Sequence, residues 1–276
     1  MILRAGIVQL CSGDIPAENL AFTQELIGSV ASKGAQFIAT PEVTNCVSTS
    51  RTHQNAALQT EDQDLTLHAL KGQAQDLGIW LLIGSLALKT EDPDGRFANR
   101  SFLIGPDGQI KARYDKVHMF DVTVDDKETY RESAGYRPGS AATLADIPGA
   151  TLGMTICYDV RFPALYRLLA QAGAGVITVP SAFSPVTGAA HWEVLLRARA
   201  IETGCFILAP AQSGDHKIAR GKPRSTYGHS MVVAPWGEVL LDRGTGERAF
   251  VCDLDLSEVS KARNRVPALS HDRKFA

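Results

Sequence analysis

Three polar residues of this sequence have side chains that together could carry out nucleophilic chemistry. Glu42, Lys116 and Cys157 each stand where a strand-like run ends. A cysteine is a good nucleophile only as the thiolate, so it needs a base beside it and a cation nearby. A glutamate can take the proton, and a lysine can stabilise the oxyanion of a tetrahedral intermediate. Because ligands of α/β proteins gather beyond the carboxyl ends of strands, we expect these three side chains to converge.

The elements that must position these residues follow from the hydrophobic pattern. Short apolar runs alternate with segments of helical periodicity, which predicts an α/β protein built in layers. The predicted strands are Leu3–Leu10, Phe37–Thr40, Trp80–Leu88, Ser101–Ile104, Gln109–Arg113, Thr151–Ile156, Val176–Val179, Cys205–Ala209, Ser230–Val233, Val239–Leu241 and Ala249–Leu254. Predicted helices include Leu67–Leu77, Pro163–Ala172 and about His191–Thr203. The third is apolar on two sides, which predicts burial on two sides, including a contact with another subunit.

The chain also repeats itself weakly. Residues 101–110 resemble residues 230–239, and both read as a strand, a Pro-x-Gly turn and a second strand, which is a hairpin. Residues 36–41 resemble residues 175–180 in the same order along the chain. We therefore expect two pseudo-symmetric halves, each building one sheet under outer helices, within a single domain of residues 1–276.

Composition and charge exclude several classes of protein. The chain has 276 residues, of which 28 are Lys or Arg and 30 are Asp or Glu, for a net charge of −2. A nucleic-acid binder or a polybasic membrane binder needs a concentrated positive field, so neither is expected. No apolar run approaches the roughly 18 residues that span a bilayer, and the N-terminus lacks the features of a signal peptide. We therefore expect a cytoplasmic protein with no nucleic-acid or membrane partner.

The five cysteines match neither a disulfide framework nor a zinc site. Their number is odd, their spacing is wide, and no C-x-x-C or H-E-x-x-H occurs. The glycines of residues 214–222 do not have P-loop spacing, and no G-x-S-x-G nucleophile elbow is present. We expect no metal and no organic cofactor. We also expect His191 and His229 to make structural hydrogen bonds, not to act with Cys157 as in papain-like enzymes.

Three motifs together resemble a known family. The segment GMTICYDVRFP, residues 153–163, closely resembles the nucleophile segment of the nitrilase superfamily of carbon–nitrogen hydrolases. Pro41-Glu42 and the segment YDKVH, residues 114–118, resemble its base and lysine segments, in family order. The resemblance runs from Arg4 to about Phe275. It implies a four-layer αββα sandwich, a Glu-Lys-Cys triad, a covalent thioester intermediate, and homodimers or higher oligomers.

The resemblance also assigns roles by position. It makes Cys157 the nucleophile, Glu42 the general base and later the acid, and Lys116 the oxyanion partner. Glu132 lies ahead of a Pro-Gly pair, as the family's supporting glutamate does, and would orient Lys116. The alternative for Glu132 is a surface residue in the polar stretch 121–137.

Three more residues are candidates for contact with the substrate. The backbone N–H of Tyr158, directly after the nucleophile, would be a second oxyanion donor. Arg161 would bind a substrate carboxylate or pair with Asp159 to hold the turn of the nucleophile. Phe183 belongs to a segment, residues 180–183, that shares a narrower resemblance with the family and is a further candidate.

That narrower resemblance is to the Nit1-type branch of the family and includes residues 187–202 and 225–230. It implies an amidase that cleaves deaminated glutathione, a small-molecule amide, to α-ketoglutarate and cysteinylglycine. The alternatives are an ω-amidase acting on α-ketoglutaramate, an N-carbamoyl amide hydrolase, a nitrilase, or a catalytically inert interaction protein of the same fold. The basic segment 213–224 would be a lid over the substrate or a solvated loop, and residues 255–276 would contact a partner subunit.

Overall fold

The computed structural model describes residues 1–124 and 129–273. The last part of the segment 255–276, residues 274–276, lies outside the described residues. The described strands are β1 (Ile2–Gln9), β2 (Phe37–Ala39), β3 (Trp80–Leu88), β4 (Ala98–Ile104), β5 (Ile110–Asp115), β6 (Asp121–Thr123), β7 (Thr129–Arg131), β8 (Thr143–Ile147), β9 (Ala150–Met154), β10 (Val176–Thr178), β11 (Phe206–Ala209), β12 (Ser213–Asp215), β13 (Ser225–Tyr227), β14 (Met231–Val233), β15 (Val239–Asp242) and β16 (Arg248–Asp255). The described α-helices are α1 (Pro16–Ala31), α2 (Arg51–Ala57), α3 (Leu65–Leu77), α4 (Pro163–Gln171), α5 (Pro185–Thr203) and α6 (Ser257–Arg265).

Two six-stranded sheets hold most of the described strands and share one pattern of strand directions. The first sheet has the order β16-β1-β2-β3-β4-β5, and the second has the order β8-β9-β10-β11-β14-β15. In both, successive neighbours pair antiparallel, parallel, parallel, antiparallel and antiparallel. The repeated segments 36–41 and 175–180 contain the equivalent strands β2 and β10, and the repeated hairpins are β4–β5 and β14–β15. The prediction of two pseudo-symmetric halves is confirmed.

The two sheets stack face to face between two layers of helices. Strand β2 shows this by its alternation, because Phe37 packs into the core between the sheets, together with Met154 of the second sheet. Its neighbour Ile38 points the other way and packs with Ile27 of α1 and Leu70 of α3. Buried side chains of α4 and α5 join the core of the second sheet on the opposite side. The layers are therefore helix, sheet, sheet and helix, as the αββα prediction requires.

The structure differs from the sequence prediction mainly at weakly patterned segments. Strand β8 has no counterpart among the predicted strands, because it is an edge strand with mostly half-buried residues and little alternation. Helix α5 begins at Pro185 instead of about His191, because proline favours the first helical turn. Among the described residues, no helix is both long enough and apolar enough to cross a membrane.

Candidate active site

Glu42, Lys116 and Cys157 lie together at one end of the two sheets. Glu42 is three residues beyond β2, Lys116 directly follows β5, and Cys157 is three residues beyond β9. Lys116 Nζ donates a hydrogen bond to Glu42 Oε1 at 2.8 Å, and all three residues line one cavity of about 710 Å³. Their exposed fractions are 4% for Glu42, 2% for Lys116 and 7% for Cys157. The structure therefore brings the three residues of the sequence prediction together from both sheets.

The turn that carries Cys157 has a strained backbone. The φ angle of Cys157 is 49°, in the left-handed region that residues other than glycine rarely adopt. The Cys157 N–H donates to Pro180 O at 2.9 Å, and the Ile156 N–H donates to the Asp159 carboxylate at 2.8 Å. Backbone strain persists only where the surroundings over-determine it, and such positions cluster at functional sites. These bonds hold the cysteine sulfur at the cavity.

Asp159 ties the Cys157 turn to the segment that carries Lys116. This fully buried carboxylate accepts a hydrogen bond from Tyr114 Oη at 2.7 Å. It also accepts the His118 backbone N–H at 3.0 Å and lies 2.7 Å from His118 Nδ1. Because Tyr114 and His118 flank Lys116 in the chain, one carboxylate sets the spacing between the lysine and the cysteine.

The backbone around Glu42, in the loop after β2, is also constrained. Val43, directly after it, has a φ angle of 48°, which is an outlier for a β-branched residue. A Cβ at Gly84 of β3 would lie 1.9 Å from Thr40 O, so only glycine allows β3 to pass this close to the loop before Glu42. The Ala182 N–H donates to Glu42 Oε2 at 2.8 Å. Both oxygens of the Glu42 carboxylate therefore have fixed partners.

A second carboxylate, that of Glu132, also faces Lys116. Lys116 Nζ lies 2.9 Å from both Glu132 Oε1 and Glu132 Oε2, and the Phe120 N–H donates to Oε2 at 2.6 Å. Glu132 begins a short 3₁₀ turn after β7, and its side chain is 14% exposed. The structure places Glu132 against Lys116 and not on the solvated surface.

Asn99 of β4 is a residue that the sequence analysis missed. Asn99 Nδ2 donates to Glu42 Oε1 at 2.8 Å and approaches Glu132 Oε1 at 3.4 Å. The predicted strand began at Ser101, so Asn99 lay outside every segment that we considered. The sequence carries no signal that singles it out, because Arg100 and Ser101 of the same strand are polar as well.

Burial and charge act in opposite directions on the pKa values of this site. Burial raises the pKa of the Cys157 thiol, and the Glu42 carboxylate raises it further, well above the usual range for cysteine. Burial alone would raise the pKa of Glu42, but the Lys116 ammonium and several hydrogen bonds hold it below its usual value. Burial lowers the pKa of Lys116, whereas Glu132 and Glu42 outweigh burial and keep it well above its usual value. These directions give Glu42 as the carboxylate, Lys116 as the ammonium and Cys157 as the protonated thiol at neutral pH.

The other candidate contact residues are placed in two different ways. Tyr158 and Phe183 line the cavity. Arg161 is not among the described lining residues. Its guanidinium lies over the rings of Tyr158 and Phe183, and its Nη2 lies 3.3 Å from His191 Nδ1. It does not pair with the Asp159 carboxylate, which contacts Tyr114 and His118. Arg161 therefore packs against Tyr158 and Phe183, two aromatic residues that line the cavity.

The two histidines that we expected to be structural lie outside the cavity lining. His191 is exposed on α5 beside Arg161. His229 has a φ angle of 56° and lies 3.1 Å from the Asp242 carboxylate, while its carbonyl accepts the indole N–H of Trp192. Neither histidine is among the described residues that line the cavity with Cys157.

The basic segment 213–224 is a β-hairpin connection whose cations divide into two groups. Strands β12 and β13 pair antiparallel at its base. Lys222 and Arg224 line the cavity, and Arg224 Nη2 donates to Ala182 O at 3.2 Å. Lys217 lines a different cavity, and Arg220 is exposed. Only the last part of the segment therefore borders the active-site cavity.

The chemistry that this arrangement permits is acyl transfer to sulfur. Glu42 can accept the thiol proton. Lys116 has three N–H groups, and two of them face the oxygens of Glu132, so one of these two can turn to an oxyanion while the ammonium still contacts both carboxylates. Within residues 1–124 and 129–273, no cluster of three or more His, Cys, Asp or Glu side chains could hold a metal ion.

Comparisons with known proteins place the chain among carbon–nitrogen hydrolases with amidase relatives. The carbon-nitrogen hydrolase family matches residues 4–264. The chain is 40% identical to the deaminated glutathione amidase of Yersinia enterocolitica, over 97% of this chain and 92% of that protein. It is 32% identical to omega-amidase NIT2 of Homo sapiens, over 98% of this chain and 95% of that protein. The crystal structure of the C. elegans NitFhit protein superposes with a TM-score of 0.89 at 33% identity, over 99% of this chain and 65% of that chain.

Proposed function

The chain belongs to the carbon–nitrogen hydrolase family and is an amidase of the nitrilase superfamily, and we propose that it hydrolyses deaminated glutathione through a thioester on Cys157. The products would be α-ketoglutarate and cysteinylglycine. The observation that carries the catalytic part is the contact of Lys116 Nζ with Glu42 and Glu132, beside Cys157 in one cavity. The Yersinia relative, which is named a deaminated glutathione amidase, supports the substrate.

In the proposed reaction, Glu42 acts first as a base. Because the Cys157 thiol is protonated, Glu42 takes its proton while the sulfur attacks the amide carbonyl carbon. The carbonyl oxygen becomes an oxyanion that Lys116 and the Tyr158 N–H stabilise. Glu42 then gives its proton to the amide nitrogen, the C–N bond breaks, and the amine departs. The acyl group stays on the Cys157 sulfur as a thioester.

The second half of the reaction regenerates the enzyme with water. Glu42 removes a proton from a water molecule as its oxygen attacks the thioester carbonyl. The second tetrahedral intermediate has the same oxyanion partners and collapses with loss of the Cys157 sulfur, which recovers a proton from Glu42. The acid is released, and Cys157, Glu42 and Lys116 return to their starting protonation states.

The cations at the cavity favour an anionic substrate. Deaminated glutathione has one carboxylate on its acyl half and one on its glycine. Lys222 and Arg224 line the cavity, and among the described residues neither is paired with a carboxylate. Because an arginine can bind a carboxylate through two parallel hydrogen bonds, Arg224 is suited to one of these groups. A cavity of about 710 Å³ has room for a peptide-sized ligand.

The first experiment tests the nucleophile. Cys157→Ala should abolish release of α-ketoglutarate, whereas the matched Cys11→Ala, half-buried outside the cavity lining, should retain wild-type activity. Brief treatment with iodoacetamide should label Cys157 preferentially, and Glu42→Gln should slow that labelling. Wild-type turnover by Cys157→Ala would refute the catalytic proposal. Absence of labelling and of turnover in the wild type would favour an inert interaction protein.

The second experiment tests the substrate. Deaminated glutathione and α-ketoglutaramate both release α-ketoglutarate, so one assay gives kcat/KM for both. Because remote binding energy can lower the barrier of the reaction, the larger substrate should have the higher kcat/KM. A higher value for α-ketoglutaramate would replace the proposal with the ω-amidase function of the human relative. An aliphatic nitrile and an N-carbamoyl amino acid should be poorer substrates than either amide.

A pair of double variants tests the loop. Lys222→Gln with Arg224→Gln should reduce the preference for deaminated glutathione about tenfold or more, as expected for loss of a hydrogen bond between charged groups. The control, Lys217→Gln with Arg220→Gln, removes the same charge from the part of the segment that does not line the cavity. If the two double variants behave alike, the loop does not recognise the substrate through these cations.

A homodimer or higher oligomer and a cytoplasmic location stay predictions. Val194 and Ile201 on α5 are 69% and 58% exposed in the single chain, which supports a subunit contact along this helix. The mass of the protein in solution tests this expectation directly, and a monomer at micromolar concentration would contradict it.

A further inference from the structure

The two carboxylates of the site stand closer to each other than their charges favour. Glu42 Oε1 lies 2.8 Å and Glu132 Oε1 lies 2.9 Å from the same Lys116 Nζ. Two anions therefore share one cation in a place that water barely reaches, and like charges repel more strongly there than in water. The ammonium alone leaves the cluster with one negative charge in excess. A further donor that contacts both carboxylates would stabilise the arrangement.

Asn99 supplies such a donor. Its Nδ2 lies 2.8 Å from Glu42 Oε1 and 3.4 Å from Glu132 Oε1, two of the three oxygens that Lys116 Nζ contacts. Its backbone carbonyl accepts the backbone N–H of Lys116 at 3.0 Å. Asn99 is 2% exposed and sits on β4, beside β5, which Lys116 directly follows. One residue therefore touches both carboxylates with its side chain and holds the backbone of Lys116.

The Asn99 amide nitrogen has these contacts, but the amide oxygen has no hydrogen-bond donor among the described residues. This oxygen, Asn99 Oδ1, is buried. A buried carbonyl without a donor destabilises the fold, and a leucine of similar size would avoid that cost. Turning the amide around would direct its oxygen at two carboxylates. The contacts therefore determine both the residue type and its orientation.

We propose that Asn99 is a positioning residue, which bridges the carboxylates of Glu42 and Glu132 and so holds Glu42 in reach of Cys157. Lys116 Nζ contacts three carboxylate oxygens. Because the Asn99 amide also donates to two of them, one ammonium N–H can turn to the oxyanion without leaving a carboxylate unpaired. The inference rests on the proposed function in one respect, the role of Glu42 as the base of Cys157. It does not depend on which amide is the substrate.

The first test replaces the amide with an apolar group. Asn99→Leu should lower kcat about tenfold or more with little change in KM, because the reacting groups are misplaced while Lys222 and Arg224, the cations that would bind the substrate, are kept. The acidic limb of the pH profile of kcat/KM should move up by about one pH unit, since a hydrogen bond to the ionised Glu42 is lost. The other ionisable groups that face Glu42 are Lys116, Cys157 and Tyr136, with Glu132 on the far side of Lys116, and all remain in the variant.

A matched control separates positioning from loss of structure. Asn45 is also a buried amide, but it exchanges hydrogen bonds with Ala87 at 2.9 Å and is not a lining residue of the cavity. Asn45→Leu should lower stability and leave the acidic limb of the profile where it is. If Asn99→Leu leaves both kcat and the limb at wild-type values, or if Asn45→Leu moves the limb equally, the proposal is wrong.

Two further variants, Asn99→Asp and Asn99→Ser, test the proposal if Asn99→Leu does not fold. Asn99→Asp has almost the same shape but adds a third carboxylate, so it should lose more activity than any neutral variant, whereas Asn99→Ser, which retains a donor, should recover part of it. Alkylation of Cys157 by iodoacetamide as a function of pH reports the same base without any substrate. A wild-type alkylation profile for Asn99→Asp would overturn the inference, whereas full turnover by Cys157→Ala would overturn the proposed function instead.

Discussion

Glu132→Gln measures how much of the activity depends on the second carboxylate at Lys116. The change removes one negative charge with almost no change in volume. Both Glu132 oxygens lie 2.9 Å from Lys116 Nζ. At this distance and an effective dielectric constant of about 20, the attraction between two unit charges is about 6 kcal/mol. Breaking a buried ion pair costs about 3–5 kcal/mol after relaxation, and the Glu132 side chain is 14% exposed, so we take the lower end.

A loss of about 3 kcal/mol in the transition state corresponds to a fall in kcat/KM of roughly 100-fold. The reason is geometric, because without Glu132 the Lys116 ammonium moves towards Glu42 and away from the oxyanion. The assay is the initial rate of α-ketoglutarate release from deaminated glutathione. A urea unfolding curve of the same preparation shows whether the variant is folded under the assay conditions.

The matched control is Glu61→Gln. Glu61 also pairs with two cations, Arg100 and Arg113, at 2.7 and 2.8 Å, but its side chain is 26% exposed and lies outside the cavity lining. This variant should keep kcat/KM within about twofold of wild type, because exposed ion pairs contribute little. If folded Glu132→Gln is as active as Glu61→Gln, Lys116 does not need the second carboxylate and the reasoning fails.

Three further predictions concern the frame around the site. Tyr114→Phe removes the buried hydrogen bond to Asp159 and should lower the free energy of unfolding by about 1–3 kcal/mol; an unchanged urea midpoint would contradict the bridging role. Gly84→Ala should lower Tm and activity together, because its Cβ would meet a backbone oxygen at 1.9 Å; wild-type values for both would show that β3 can shift freely. In the folded protein the pKa of Glu42 is lowered from 4.5 and that of Lys116 is raised from 10.5, so their stabilisation is complete between these values. It is lost as the pH falls through the folded pKa of Glu42 or rises through that of Lys116, and Glu42→Gln should flatten the acidic side of a plot of Tm against pH.

Strand ends and repeats were the parts of this molecule most accessible from sequence. Glu42 and Cys157 follow β2 and β9, whose apolar patterns are strong because these strands lie inside their sheets and are largely buried. Lys116 follows the edge strand β5, whose residues alternate between half-buried and exposed over Ile110–Arg113. Strand ends locate a residue along the chain, and the sheet order then brings such residues together. The repeated hairpins were detectable because their turn residues and their apolar alternation are similar in the two halves, although most of the other residues differ.

The details that escaped prediction depend on contacts between distant segments. Asn99 of β4 contacts Glu42, which follows β2, past the intervening strand β3, and no local pattern encodes which amide meets which acid. The pairing of β12 with β13 determines that Arg224 and not Arg220 borders the cavity, and that register is not periodic in the sequence. The packing of Arg161 against Tyr158 and Phe183 likewise depends on the turn after Cys157.

The pairing of β16 with β1 has a consequence for the order in which the protein can be completed during synthesis. Strands β8 to β15 occupy one continuous stretch, residues 143–242, so the second sheet can assemble as soon as that stretch has left the ribosome. The first sheet cannot, because residues 2–9 pair with residues 248–255 at the far end of the chain. Until then β1 is an uncovered edge with unpaired N–H and C=O groups, which invites pairing with another nascent chain. Strand β1 is made before every other strand of its sheet and is covered only after the last of them, so translational pauses or truncations before residue 248 leave this polypeptide exposed to aggregation.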